Sequence, residues 1–136
     1  MPTLYPSWIE LPVADLDRAL AFYRAVFGLT DIPLYQQEPS TRIAVLLPYD
    51  KSVRAPGVSL VQSPLHVPGN GGVQVNFHMG DHATLDRAQE MALARGGAII
   101  HPLIDMGDGV RYVTLRDSEG NHIAISSYGP LEGESP

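Results

Sequence analysis

Leu16-Asp17-Arg18-Ala19 and Leu85-Asp86-Arg87-Ala88 are the same four residues, met twice in one chain. Each copy opens a segment with helical periodicity. Each also follows a strand-like run: Trp8 to Val13 before the first, Gln74 to Met79 before the second. Both runs end near an aspartate, Asp15 and Asp81, with His82, Ala83 and Thr84 added in the second copy. A tetrapeptide repeated at equivalent points of two strand-then-helix units reads as an internal duplication, and repeats decide the fold reading. Two halves of about 60 residues are each too small to bury a good core alone. They are expected to fuse into one domain with a concave site between or across them.

Working outward, residues 7–13 alternate apolar with other types, as a half-buried strand does. Asp15 is placed to cap a first helix with an inward stripe of Leu16, Ala19, Leu20, Tyr23 and Phe27. Gly28 follows, where a left-handed cap favours a residue without Cβ. Further strands are expected near 31–35, 42–47 and 58–62. Residues 63–72 hold two Pro and three Gly without periodicity and read as a connector. The second half repeats the order. A strand runs to about Met79, a helix spans about 84–95, and strands lie near 98–103, 110–116 and 122–127. Asp117-Ser118-Glu119-Gly120-Asn121 reads as the last turn. The expectation is an α+β fold of two βαβββ modules, about 5–62 and 73–128, forming one domain over 1–128. Eight mostly antiparallel strands would curve around a cavity, with the helices on the convex face. Residues 129–136 offer little to bury and read as a frayed tail.

Composition narrows function. The chain has 136 residues and a formal net charge of −6, with eight of its nine basic residues Arg and only Lys51 Lys. No basic stripe is available to neutralise phosphates, which argues against nucleic acid. Zero cysteines exclude disulfides, thiolate metal sites and cysteine nucleophiles. No apolar run approaches the ~18 residues of a membrane span, and the N-terminus lacks a charged segment leading into an apolar one. A cytoplasmic protein without membrane partners is expected.

Period two separates packing from chemistry. Ile9, Leu11, Val13, Val75, Phe77, Met79, Ile123 and Ile125 share one strand parity and are all apolar, so they are expected beneath the helices. The opposite parity carries Trp8, Glu10, Gln74, Asn76, His78, His122 and Ser126, with Pro12 and Ala124. That set either faces water on an open sheet or lines a cavity. A Trp among polar positions favours ligand contact.

Leu11 to Tyr23, then Val26-Phe27-Gly28-Leu29, then Asp117 to Ile123 resemble the vicinal oxygen chelate superfamily, the glyoxalase, bleomycin-resistance and ring-cleaving dioxygenase group. The resemblance spans about Tyr5 to Tyr128 and implies the duplicated βαβββ fold, commonly assembled as a two-fold dimer. It also implies one divalent metal held by His and Glu from four strands. Carried over by spacing, those positions fall on Trp8, Ser59, Gln74 and Ala124. An indole, a hydroxyl, an amide and a methyl make a poor ligand set, so no metal and no cofactor are expected.

The candidate ligand-binding residues are Trp8, Glu10, Ser59, Gln74, Asn76, His78, His122 and Ser126, with Glu10 and His78 as candidate catalytic groups. The leading reading is a homodimeric protein binding a small molecule in a polar-rimmed cavity without metal. The alternative is a metal-independent or atypical-metal lyase, isomerase or dioxygenase-related enzyme using Glu10 as base. A bare dimerising module is the third. His66, His82 and His101 read as surface residues. Asp105 to Gly109 reads as a hairpin rather than a calcium loop, and no serine elbow or phosphate loop is present.

Overall fold

The computed structural model describes residues 4–37 and 40–129. Its elements run β1 (Trp8–Pro12), α1 (Leu16–Phe27), β2 (Leu34–Gln37), β3 (Thr41–Leu47), β4 (Gly57–Gln62), β5 (Val75–His78), α2 (His82–Ala94), β6 (Ala98–Asp105), β7 (Val110–Arg116) and β8 (His122–Tyr128). This is βαβββ twice. The strands divide into two four-stranded sheets, ordered β1-β4-β3-β2 and β5-β8-β7-β6. In each, the first strand of the module pairs parallel with the last and the other pairings are antiparallel. β1 and β5 are thus equivalent edge strands. Of the tail expected at 129–136, all but Gly129 lies outside the described residues.

The two tetrapeptides occupy different turns of their helices. Asp15 caps α1, accepting from the Arg18 N–H, so Leu16 is the first helical residue. Asp81 caps α2 in the same way through the Thr84 N–H, which makes His82, Ala83 and Thr84 the first turn and puts Leu85 fourth. The helix therefore begins two residues before the position expected from the sequence. Three added residues are close to one 3.6-residue turn, so Leu85 and Ala88 keep the facing of Leu16 and Ala19. All four are buried.

The first helix buries more than a single stripe. Phe22 and Val26 are fully inaccessible alongside Leu16, Ala19, Leu20 and Tyr23. α1 packs on β3 and β4 and also on α2, so two of its faces are covered. A Cβ at Gly97, just beyond α2, would stand 2.8 Å from the Phe22 ring. The modules share one apolar core that runs from Leu11, Leu60 and Ala44 to Phe77, Leu115 and Ile125. Phe27 packs on Phe77 with ring centroids 4.7 Å apart, directly across the module boundary.

β2 begins at Leu34 rather than near Asp31. Pro33 has no N–H to donate to a ladder, and only its carbonyl is used, by the Val45 N–H. At the end of α1, Gly28 takes φ 67° and ψ 31°, with its N–H on the Arg24 carbonyl, as a left-handed cap requires. Asp105 to Gly109 joins β6 to β7, its carboxylates accepting from the Gly107 and Val110 N–H groups. Those bonds close a hairpin.

Candidate functional site

Parity places the side chains as the alternation predicts. Leu11, Val13, Phe77, Ile123 and Ile125 are buried against the helices, whereas Trp8, Glu10, Asn76 and His78 are exposed on the opposite faces. On the first module's sheet, Trp8, Glu10 and Ser59 converge in a hollow of about 570 Å³. Tyr35, Ile43, Val45 and Tyr49 help to line it. Its size falls within the range of small-molecule sites.

Ladder register explains the convergence. β1 and β4 run parallel with Glu10 opposite Ser59 and Trp8 opposite Gly57. Trp8 leans over Gly57, where a Cβ would stand 2.2 Å from the indole six-membered ring. Only glycine admits that approach. The indole Nε1–H donates to Ser59 Oγ at 2.8 Å, which fixes the ring while leaving Trp8 44 % exposed.

Glu10 has a partner that sequence reasoning missed. His66 Nε2 lies 3.3 Å from Glu10 Oε1, and His66 Nδ1 lies 2.7 Å from Ser63 Oγ. The hydroxyl also accepts from the Leu65 N–H at 3.1 Å. The His66 ring thus bridges Ser63 and Glu10, with Nε2–H donating to the carboxylate and Nδ1 sharing a hydrogen with the Ser63 hydroxyl. His66 was expected at the surface because its Pro/Gly-rich connector lacks periodicity. It is half-buried instead, since the connector folds back over the end of β1.

The remaining candidates are dispersed. His122 and Glu10 both border a second cleft of about 390 Å³ between the modules, closed on one side by Val67 to Gly69. Asn76 lies opposite Ala124 on the second sheet, and Gln74 is exposed just before β5. His78 lies opposite Ser126 and packs at a tilt on Tyr128 with ring centroids 4.4 Å apart. It borders a separate hollow with Phe27, Leu47 and Met79. Glu10 therefore meets His66, while His78 belongs to the other module's face. His82, also expected at the surface, is half-buried with Nδ1 2.6 Å from Ser127 Oγ. His101 is exposed, as expected.

The turn from Asp117 to Asn121 is a buried clamp. Asp117 accepts from the Tyr23 hydroxyl at 2.5 Å and from the Glu119 and Asn121 N–H groups at 2.9 Å each. Burial, and then the Asp117 carboxylate, push the Tyr23 phenol well above its ordinary pKa, so it stays a donor. Glu119 accepts from the Ala14 and Asp15 N–H groups and from Arg18 through two nitrogens, at 2.6 and 3.0 Å. Asn121 donates to the Pro12 carbonyl and accepts from the Gly69 N–H. One turn of module two thereby holds β1, the start of α1 and the connector.

The four positions that the resemblance marks for metal do not fit a divalent ion. Ser59 is already bonded to Trp8, an indole and the Ala124 methyl have no lone pair to give, and Gln74 is exposed. Among the described residues, no group of three or more His, Asp or Glu is arranged to hold a metal ion. No helix among them is long and apolar enough to cross a membrane.

Two βαβββ modules back to back, with a ligand-sized hollow on an open sheet face, define a class of duplicated α+β proteins. The sequence profile of the Glyoxalase/Bleomycin resistance protein/Dioxygenase superfamily matches residues 6–125, and the chain belongs to that superfamily. Among solved structures, it is similar to a glyoxalase/bleomycin resistance protein from Albidiferax ferrireducens T118, at 23% identity and TM-score 0.64 over 90% of this chain and 98% of that one. A glyoxylase/bleomycin resistance protein/dioxygenase domain from Frankia sp. EAN1pec gives 16% identity and TM-score 0.71, covering 98% and 96%. The fosfomycin resistance protein FosX from Listeria monocytogenes gives 17% and 0.63, covering 97% and 98%. At these identities the likeness is one of fold. No curated protein sequence matches the chain.

Proposed function

We propose that this protein binds a small organic molecule in the hollow on its first sheet, without a resident divalent metal. The observation that carries this reading is the Trp8–Ser59 hydrogen bond. It ties up two positions the superfamily would give to metal and turns them into a fixed aromatic and polar wall. Trp8 supplies a stacking surface, and Glu10 orients polar groups. Trp8→Ala is expected to weaken a ligand in this hollow by about 1–3 kcal/mol, the loss of a buried aromatic contact. Native mass spectrometry of what co-purifies identifies the ligand, and calorimetry on both proteins measures the loss; unchanged affinity would place the ligand elsewhere. Elemental analysis of untagged protein is expected to find far less than one equivalent of transition metal, and stoichiometric metal would overturn the metal-free part.

The Glu10–His66–Ser63 chain supports a second reading, in which the protein is an enzyme. A carboxylate at a ligand hollow, held in place by an imidazole N–H, is equipped to take a proton from a bound substrate and return it to another atom of that substrate. Turnover that disappears in Glu10→Gln while the ligand still binds would favour this reading; saturable binding with no turnover would favour the first.

The assembly proposed is a homodimer. Both sheets present exposed apolar side chains, Trp8 and Tyr35 on the first and Ile100 and Leu103 on the second. A two-fold partner would close over the hollow that Trp8 and Tyr35 line and would cover Ile100 and Leu103. Light scattering is expected to give twice the 14.7 kDa chain mass. A monomer mass at about tens of micromolar would remove the idea.

A further inference from the structure

We propose that the hollow on the first sheet selects an organic cation, an ammonium group on a compact apolar body. This rests on the reading of that hollow as a small-molecule site and adds the chemical class of the occupant. Three of its lining residues, Trp8, Tyr35 and Tyr49, are aromatic, and the carboxylate among them is Glu10. Among the described residues, no Lys or Arg lines it. Aromatic faces attract cations through the ring quadrupole, indole most strongly, and a single carboxylate supplies the counter-charge. An anion would meet the Glu10 carboxylate with no Lys or Arg among those lining residues to offset it.

Placement of the rings supports the selection. The Trp8 ring is held at two points, by Gly57 beneath it and by Ser59 at Nε1, so its orientation is set before any ligand arrives. Tyr49 is held by the Tyr5 hydroxyl at 2.5 Å, the two rings lying 6.5 Å apart and nearly parallel. The same aromatic group already engages a cation: the Arg54 guanidinium sits 5.5 Å above the Tyr5 ring. Glu10 has a carboxylate oxygen left over for a ligand. Among the described residues its one side-chain partner, His66, contacts only Oε1, and the Glu10 side chain is 49 % exposed. Arg42 is turned to the other side of the sheet, where it pairs with Asp17. The chain's net charge of −6 adds long-range attraction for cations.

Trp8 is the only tryptophan, so the protein has one indole N–H resonance, and it reports this hollow. The test titrates that resonance with choline and with its neutral carbon isostere, 3,3-dimethylbutan-1-ol, at pH 8. Choline is expected to bind at least about tenfold more tightly than the alcohol, the ratio that 1.4 kcal/mol of cation–π and charge attraction produces. Glu10→Gln, a substitution at an exposed position, is expected to remove most of that preference while leaving the indole resonance of the unliganded protein in place. Equal affinity for choline and the alcohol would overturn the cation inference and leave the small-molecule reading standing. A preference unchanged in Glu10→Gln would also overturn it. So would a resonance unmoved by choline in protein whose co-purified ligand is lost in Trp8→Ala. If nothing shifts the resonance and nothing co-purifies, both readings fall together.

Discussion

Asp117→Ala is expected to destabilise the protein by about 3–4 kcal/mol, lowering the thermal midpoint by about 10–15 °C. The substitution strips acceptors from the Tyr23 hydroxyl, the Glu119 and Asn121 N–H groups and the Asn121 amide at once. Asp117 and Tyr23 are both buried, so water cannot restore those bonds without opening the core. The loss also reaches β1 and the connector that flank the proposed hollow, because Asn121 holds the Pro12 carbonyl at the end of β1 and the connector at Gly69. Calorimetric melting checks the effect. A midpoint lowered by less than about 3 °C, under one kcal/mol for a chain of this size, would show that the turn does not clamp the modules.

Glu119→Gln is expected to cost about 1–3 kcal/mol at neutral pH, with a cost that shrinks in acid. The Glu119 side chain is inaccessible to solvent. Burial by itself would raise its pKa; the Arg18 guanidinium, the Asp15 N–H and the Ser118 hydroxyl together outweigh burial and hold it below the ordinary value. Its position before the start of α1 adds the positive end of the helix dipole. A depressed folded pKa contributes stability that is complete above the unfolded value, about 4.3 for Glu. That contribution is lost as pH falls through the folded value. The stability difference between parent and Glu119→Gln should therefore be constant above about pH 5 and decline below it. Asp50, Asp81 and Asp105 also have lowered pKa values, from Ser52, Thr84 and the Gly107 N–H respectively. Their acid sensitivity is common to both proteins and cancels in the difference. Denaturant unfolding at a series of pH values measures it, and a gap that widens in acid would reverse the assignment.

These clamp residues stood in plain view in the sequence, where Asp117 to Asn121 read as a turn. The turn is real, but its carboxylates serve residues more than ninety positions away, and turn chemistry reports only local backbone needs. His66 was harder still. Its segment has no period, so nothing local says that its ring reaches Glu10. Glu10 and His78, the two candidate catalytic groups, border different hollows for a related reason. Both residues sit on the expected parity, but parity within a strand says nothing about which sheet's hollow a residue borders.

What the sequence determined by itself was whatever depends on periodicity and repetition. The duplicated Leu-Asp-Arg-Ala, the Asp15 cap, the Gly28 stop and the period-two faces of β1, β5 and β8 set two βαβββ modules and the face each strand buries. These signals are legible because helix caps and strand alternation are local, repeated at 3.6 or two residues. Only the tertiary structure decided which side chains on the exposed faces converge. Trp8 reaches Ser59 because β4 runs parallel to β1 in a register that sets Gly57 beneath the indole. Phe22 is buried because α2 lies beside α1. Both depend on contacts between segments distant in the chain, which are chosen by packing of the shared core rather than by the residues on either side.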